Sequence, residues 1–151
     1  MPVVRVYLPV GPADLAELAE SGSLSATPAS LRVAYAVTPE LERSAPGADV
    51  EDLEYAAFSH AVVAAGAAAR GAADRRVVIA ADADPDWVVE GEPRPRDSVC
   101  AVTLAAAVPR ARVASFHIDE RGASEEGAMA DADALLWYDA TELDAVRGFF
   151  A

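Results

Sequence analysis

Hydrophobic and polar positions alternate in short runs along most of this chain, and one long, nearly all-apolar segment interrupts them. From Val3 to Pro9, Val4, Val6 and Leu8 fall on one side while Arg5 and Tyr7 fall on the other, which is the period-two pattern of a strand with one richer face. Leu31 to Thr38 repeats it, with Leu31, Val33, Tyr35 and Val37 opposing Arg32, Ala34 and Ala36. Between the two, Gly11-Pro12 opens a short helix whose Leu15 and Leu18 face inward and which Gly22 ends. Thr38-Pro39-Glu40-Leu41 has the form of a helix cap with proline in the first turn, and Pro46-Gly47 interrupts it.

The main helix starts afresh near Asp49 and runs from Val50 to about Arg70. Leu53, Ala57, His60 and Ala64 form one stripe and Tyr55, Phe58 and Val62 another, so it is expected to be buried against two neighbours. Arg76 to Ala81 reads as a third strand, and three strands separated by helical crossovers predict parallel neighbours joined by right-handed βαβ units. Residues 83–97 form a proline-rich, acidic excursion that Trp87, Val88 and Val89 pin to the domain. Ser98 to Leu104 and Val113 to Asp119 are two further strands, and residues 120–134 have the composition of a mobile acidic loop. Leu135-Leu136-Trp137-Tyr138 reads as a buried strand, so that losing the Trp137 ring should cost about 3 to 5 kcal/mol. Thr141 and Asp144 fit a capping box for a last helix carrying Leu143, Val146 and Phe150 on one side.

These elements predict an α/β fold, with α+β as the alternative: one domain over residues 1–151, a mixed sheet of roughly five or six strands with a βαβαβ start. Helices should lie mainly on one face, and the C-terminal strand and helix should close the fold. A chain of 151 residues can bury a sufficient core without metal or disulfide, although alanine makes up much of the 53% hydrophobic content. Cys100 is the only cysteine, and no targeting segment is evident, which predicts a cytoplasmic protein. Its longest apolar run, Ala61 to Ala69, falls well short of the roughly 20 residues of a membrane helix.

Charge narrows the partners. A net charge of -13 repels phosphate backbones and anionic lipid heads, which argues against nucleic acid and membrane as ligands. All 12 basic residues are arginine, a bias expected of a high-GC genome.

Six blocks span nearly the whole chain: Val4-Arg5-Val6-Tyr7-Leu8-Pro9, Ala36-Val37-Thr38-Pro39, Leu53-Glu54-Tyr55-Ala56-Ala57, Arg75-Arg76-Val77-Val78-Ile79-Ala80-Ala81-Asp82, Phe116-His117-Ile118-Asp119, and Leu135-Leu136-Trp137-Tyr138 with Glu142-Leu143. Together they resemble a family of small, acidic, uncharacterised single-domain proteins of high-GC bacteria. That resemblance implies one domain with these elements and supplies no activity, cofactor or catalytic residue.

The candidate chemistry therefore rests on the residues. His117 and Asp119 share one strand face with Ser115, and a His-x-Asp pair can be half of a metal site or an acid–base pair, with Asp139 or Glu142 as further carboxylates. The plainer reading is one hydrogen bond at a strand end. His60 reads as a satisfied core histidine and Cys100 as a buried structural thiol. Asp82, Asp84 and Asp86 imitate the start of a calcium loop but lack its glycine and terminal glutamate. No phosphate loop, dinucleotide fingerprint, nucleophile elbow or His-Glu-x-x-His is present, and no cofactor is expected.

Laid side by side, the strands place Val4, Val33, Ile79 and Phe116 on a full core face, and Arg5, Tyr7, Arg32, Arg76, Ser115 and His117 on the opposite one. Arg5, Tyr7, Arg32 and His117 would then bind an anionic small molecule or an acidic protein segment, unless the arginines simply pair with loop carboxylates. The expected role is a non-catalytic binding or interaction module; the alternative is a small metal-dependent hydrolase using His117 and Asp119.

Overall fold

The computed structural model describes residues 3–68, 75–89, 98–120 and 132–150. Strand β1 (Val4–Val10) is followed by α1 (Pro12–Ser21), β2 (Ser23–Leu24), β3 (Arg32–Ala36), α2 (Pro39–Ser44) and α3 (Val50–Ala68). Then come β4 (Val77–Ala83), β5 (Val88–Val89), β6 (Ala101–Leu104), β7 (Val108–Pro109), β8 (Val113–Ile118), β9 (Leu136–Asp139) and α4 (Leu143–Gly148). Seven strands form one sheet in the order β5-β6-β3-β1-β4-β8-β9, and β2 pairs with β7 in a small separate ribbon.

The mixed α and β character holds, but every described pairing is antiparallel, so the parallel βαβ start is overturned. Element length is the reason. The ten-residue α1 rises about 15 Å, too little to recross the roughly 23 Å of the seven-residue β1. The chain therefore turns back beside the end of β1. Arg32, at the start of β3, is tied to α1 by Asp14 (3.2 Å) and Glu17 (3.6 Å). By contrast α3, with 19 residues and a rise of about 28 Å, can return the chain across the sheet. As a result β3 and β4 run the same way with β1 between them.

Helices cover both faces, another departure from the sequence reading. On one side α1 and α4 bring Leu15, Leu18, Leu143 and Val146 onto Val6, Leu8, Ala34, Ala36, Ile79 and Phe116. On the other, α2 and α3 bring Leu41, Leu53, Ala57, Ala61 and Ala65 onto Tyr7, Tyr35, Val78, Ala80 and Ala101. On the α3 side the large residues of the sheet meet the small ones of the helix, as close packing allows. That complementarity also reverses the expected phase of β3: its alanines take the leucine-rich side, while Val33 and Tyr35 lie over the alanines of α3. A bulge between β4 and β8 at Ala114 returns Val113 to the α1 side.

Local signals were accurate where they depend on neighbours in sequence. Gly22 ends α1 at φ 79°, its N–H donating to the Leu18 carbonyl at 3.0 Å. Thr38 caps α2, its Oγ1 accepting from the Leu41 N–H at 3.1 Å, and Asp49 accepts from the Asp52 N–H at 2.9 Å at the head of α3. The last helix has no side-chain cap: its N-cap position is Glu142, not the expected Thr141. Asp139 Oδ1 accepts from the Thr141 N–H (2.9 Å), and Glu142 Oε1 accepts from the Asp139 N–H (3.2 Å). The excursion after β4 contains the edge strand β5, with Trp87 packed under Arg112 at 5.1 Å. The remainder of that excursion and most of the proposed acidic loop, residues 90–97 and 121–131, lie outside the described residues.

One buried ion pair fastens β4 to β8. Arg76 donates from Nε to Asp119 Oδ2 (2.8 Å) and from Nη2 to Oδ1 (2.7 Å), with its own N–H also on Oδ2 (2.9 Å). The two side chains are only 3% and 8% exposed. Trp137, by contrast, is 62% exposed, because α3 spans β3, β1 and β4 and leaves β9 uncovered; the expectation of a buried Trp137 is corrected. In chemical denaturation, Asp119→Ala should cost about 3 to 5 kcal/mol by stranding the buried guanidinium, whereas Trp137→Ala should cost less than about 1 kcal/mol. A large loss at Trp137 with a small one at Asp119 would contradict this packing.

Candidate functional site

The arginine and tyrosine face dissolves into separate environments. Arg5 and Tyr7 do share the α3 side of β1. Arg5 lies opposite Asp82 and donates from Nε to its Oδ1 at 2.8 Å, so its charge is already matched. Tyr7 lies under α3, its ring 5.8 Å from that of Phe58. Burial first, and then the Glu54 carboxylate, push its phenol up to about 12. Arg32 projects to the other side of the sheet, where Asp14 and Glu17 hold it. A single basic surface made of Arg5, Tyr7, Arg32 and His117 therefore does not exist, because the phase of β3 separates Arg32 from the rest.

His117 and Asp119 are both committed within the fold. The His117 Nε2 lies 2.9 Å from Ser115 Oγ, and its ring packs on Phe58 with centroids 4.8 Å apart. Burial lowers its pKa to about 4, which keeps it neutral at physiological pH. Asp119 spends both carboxylate oxygens on Arg76 and cannot turn toward His117 without abandoning a buried cation. Asp139 and Glu142 form the turn into α4, and the Thr141 backbone N–H holds the Asp139 carboxyl below its ordinary value. Among the described residues no group of three or more His, Cys, Asp or Glu is placed to hold a metal ion.

Other candidates follow their plainer readings. His60 Nδ1 pairs with Ser98 Oγ at 2.6 Å. Cys100 is buried, and burial pushes its thiol up, away from the thiolate a nucleophile needs. Asp82 is taken by Arg5, and Asp84 turns back onto the Asp86 N–H at 3.0 Å.

Two surfaces that the sequence did not mark emerge instead. At the outer edge of the sheet Trp137 stands opposite His117. The Asp139 N–H turns to Glu142 rather than to β8, so antiparallel alternation makes the His117–Trp137 pair a non-hydrogen-bonded one. This brings the two side chains close and turns the Trp137 N–H and C=O outward. Beyond His117, whose ring packs on Phe58, Tyr55 and Phe58 lie 6.3 Å apart on α3.

The second surface is a cleft of about 330 Å³ where the start of β1 meets the head of α3, lined by Val3, Val4, Arg5, Val37, Glu42, Val50, Leu53 and Glu54. Among these only Arg5 was a candidate binding residue from the sequence. No periodicity could gather residues from four separate segments.

Residues 4–146 match the Family of unknown function (DUF6912). The chain belongs to this family. The match covers the whole sheet, most of both helical layers and nearly all of both surfaces, and it carries no activity to compare with them. No curated protein and no solved structure matches the chain.

The His117 environment makes stability depend on pH. Its folded-state pKa of about 4 lies below the ordinary 6.5, so the unfolded chain takes up the proton first. The neutral ring's contribution is complete above pH 6.5 and is lost progressively as pH falls toward 4. Urea midpoints measured across that range should fall more steeply for the native chain than for His117→Gln. Parallel curves, or an imidazole NMR titration near the ordinary value, would show an open, solvated ring.

Proposed function

We propose that this protein is a non-catalytic interaction module that engages a protein partner through the aromatic edge at Trp137. The observation that carries the reading is the exposure of that indole on an edge strand, in a chain that otherwise buries or half-buries most of its large aromatic side chains. An amphipathic ring with an apolar face and one N–H donor is well suited to a contact of this kind. The outward backbone groups of Trp137 add a short register for an extended segment, and the engaged Asp139 limits how far pairing could spread.

Charge favours a basic segment. The chain carries a net charge of -13, and Arg5, Arg32 and Arg76 are already matched by carboxylates. The anionic ligand expected from the sequence thus loses its donors, while a partner lysine or arginine could stack on the indole face. A hydrolase built on His117 and Asp119 has little support, since one is a half-buried neutral ring packed on Phe58 and the other is held by Arg76. A cytoplasmic setting is consistent with the single buried thiol of Cys100.

The test places the photo-crosslinking residue p-benzoylphenylalanine at position 137 and, as a control, at Val63, another exposed apolar site. Irradiation in the native host should give a discrete adduct from position 137 that position 63 does not give. The same adducts from both positions, or none from 137, would remove this edge as the contact.

A further inference from the structure

We infer that the cleft between the start of β1 and the head of α3 is a binding site for an aliphatic ammonium group, independent of the Trp137 edge. Its walls are apolar: Val3, Val4, Val37, Val50 and Leu53 line it. At its rim Val3 is 52% and Val50 68% exposed, two of the six exposed large hydrophobic residues among the described residues. An apolar-walled recess with exposed valines at its mouth is a place where a hydrocarbon chain would displace water.

The polar groups decide the sign of the ligand. Three charged residues line the cleft: Arg5, Glu42 and Glu54. The Arg5 guanidinium is bound to Asp82 at 2.8 Å, and that pair is neutral as a unit. What remains is the negative charge of Glu42 and Glu54, next to carbon. The positive end of α3 does not reverse this, because Asp49 already caps its first turn and Glu51 and Asp52 stand within it. An anion would therefore meet two carboxylates, of which Glu54 alone also feels the field of Arg5, and a neutral chain would gain nothing from them. A cation on a flexible alkyl stem matches both features, with its methylenes on Val37 and Leu53 and its head between carboxylates. The volume of about 330 Å³ lies at the small end of ligand sites and suits one side-chain-sized group.

The test titrates the full chain with hexylammonium, hexanol and hexanoate and follows backbone amide shifts by NMR. Hexylammonium should give saturable shifts centred on Val37, Val50 and Leu53, with hexanol about tenfold weaker, as expected for losing one charge-assisted contact, and hexanoate weaker still. Replacing both carboxylates, Glu42→Gln with Glu54→Gln, should weaken hexylammonium by about tenfold and leave hexanol unchanged. If that double variant fails to fold, the order of the three probes on the native chain still decides the matter. Nα-acetyl-lysine amide distinguishes the sources: binding at least as tight as hexylammonium points to a partner's lysine, and weaker binding to a free amine. Equal or tighter binding of hexanoate, absence of saturable shifts with hexylammonium, or a folded double variant that binds hexylammonium unchanged would overturn the inference.

Discussion

The reach of α3 is the constraint on which the architecture depends. A helix of 19 residues carries the chain back across the sheet, while the ten residues of α1 cannot. This difference in length places β1 between two strands that both oppose it, and it makes β3-β1-β4 the centre of the sheet. It also fixes what α3 can cover. Its alanines accept Tyr7 and Tyr35, its Phe58 reaches His117, and β9 beyond them stays open to solvent. Burial at the centre and exposure at the edge are thus consequences of the same geometry.

Polar side chains within the sheet mostly complete one another. Arg76 with Asp119 is the clearest case, with both carboxylate oxygens and the backbone N–H engaged at the junction of β4 and β8. Arg5 with Asp82 does the same across β1 and β4, and Arg32 ties β3 to α1. Each pair removes a charged group from service in catalysis or anion binding. Cross-strand pairing of this kind holds register more than it adds stability where it is exposed, and it becomes costly to break only where it is buried. The surfaces left for contact are consequently apolar and aromatic, fringed by carboxylates.

Much of the scaffold was legible in the sequence, and little of the site was. Thr38, Gly22 and Asp49 announced helix ends because capping is settled within a few residues. Arg5, Tyr7 and His117 were correctly phased on one side of their strands for the same reason: the alternation of a strand is local. Arg32 was misassigned because ranking faces by side-chain size assumes that all large residues point to one core. Here two cores exist, and in the second the large Tyr7 and Tyr35 of the sheet meet the alanines of α3. Trp137 was misjudged because a run of large residues signals a strand without saying whether that strand ends up at the centre or at an edge.

By itself the sequence determined the main elements, the caps of the first three helices, the mixed α and β class and the acidic character, since all of these follow from residues near one another in the chain or from simple sums over it. Tertiary structure alone decided strand direction, strand order, the partner of each arginine and the assembly of the cleft from β1, the segment after β3, α2 and α3. These depend on contacts between residues far apart in the chain. Which of the possible contacts form is set by helix reach and by the fit of large side chains against small ones, and neither can be read from local periodicity.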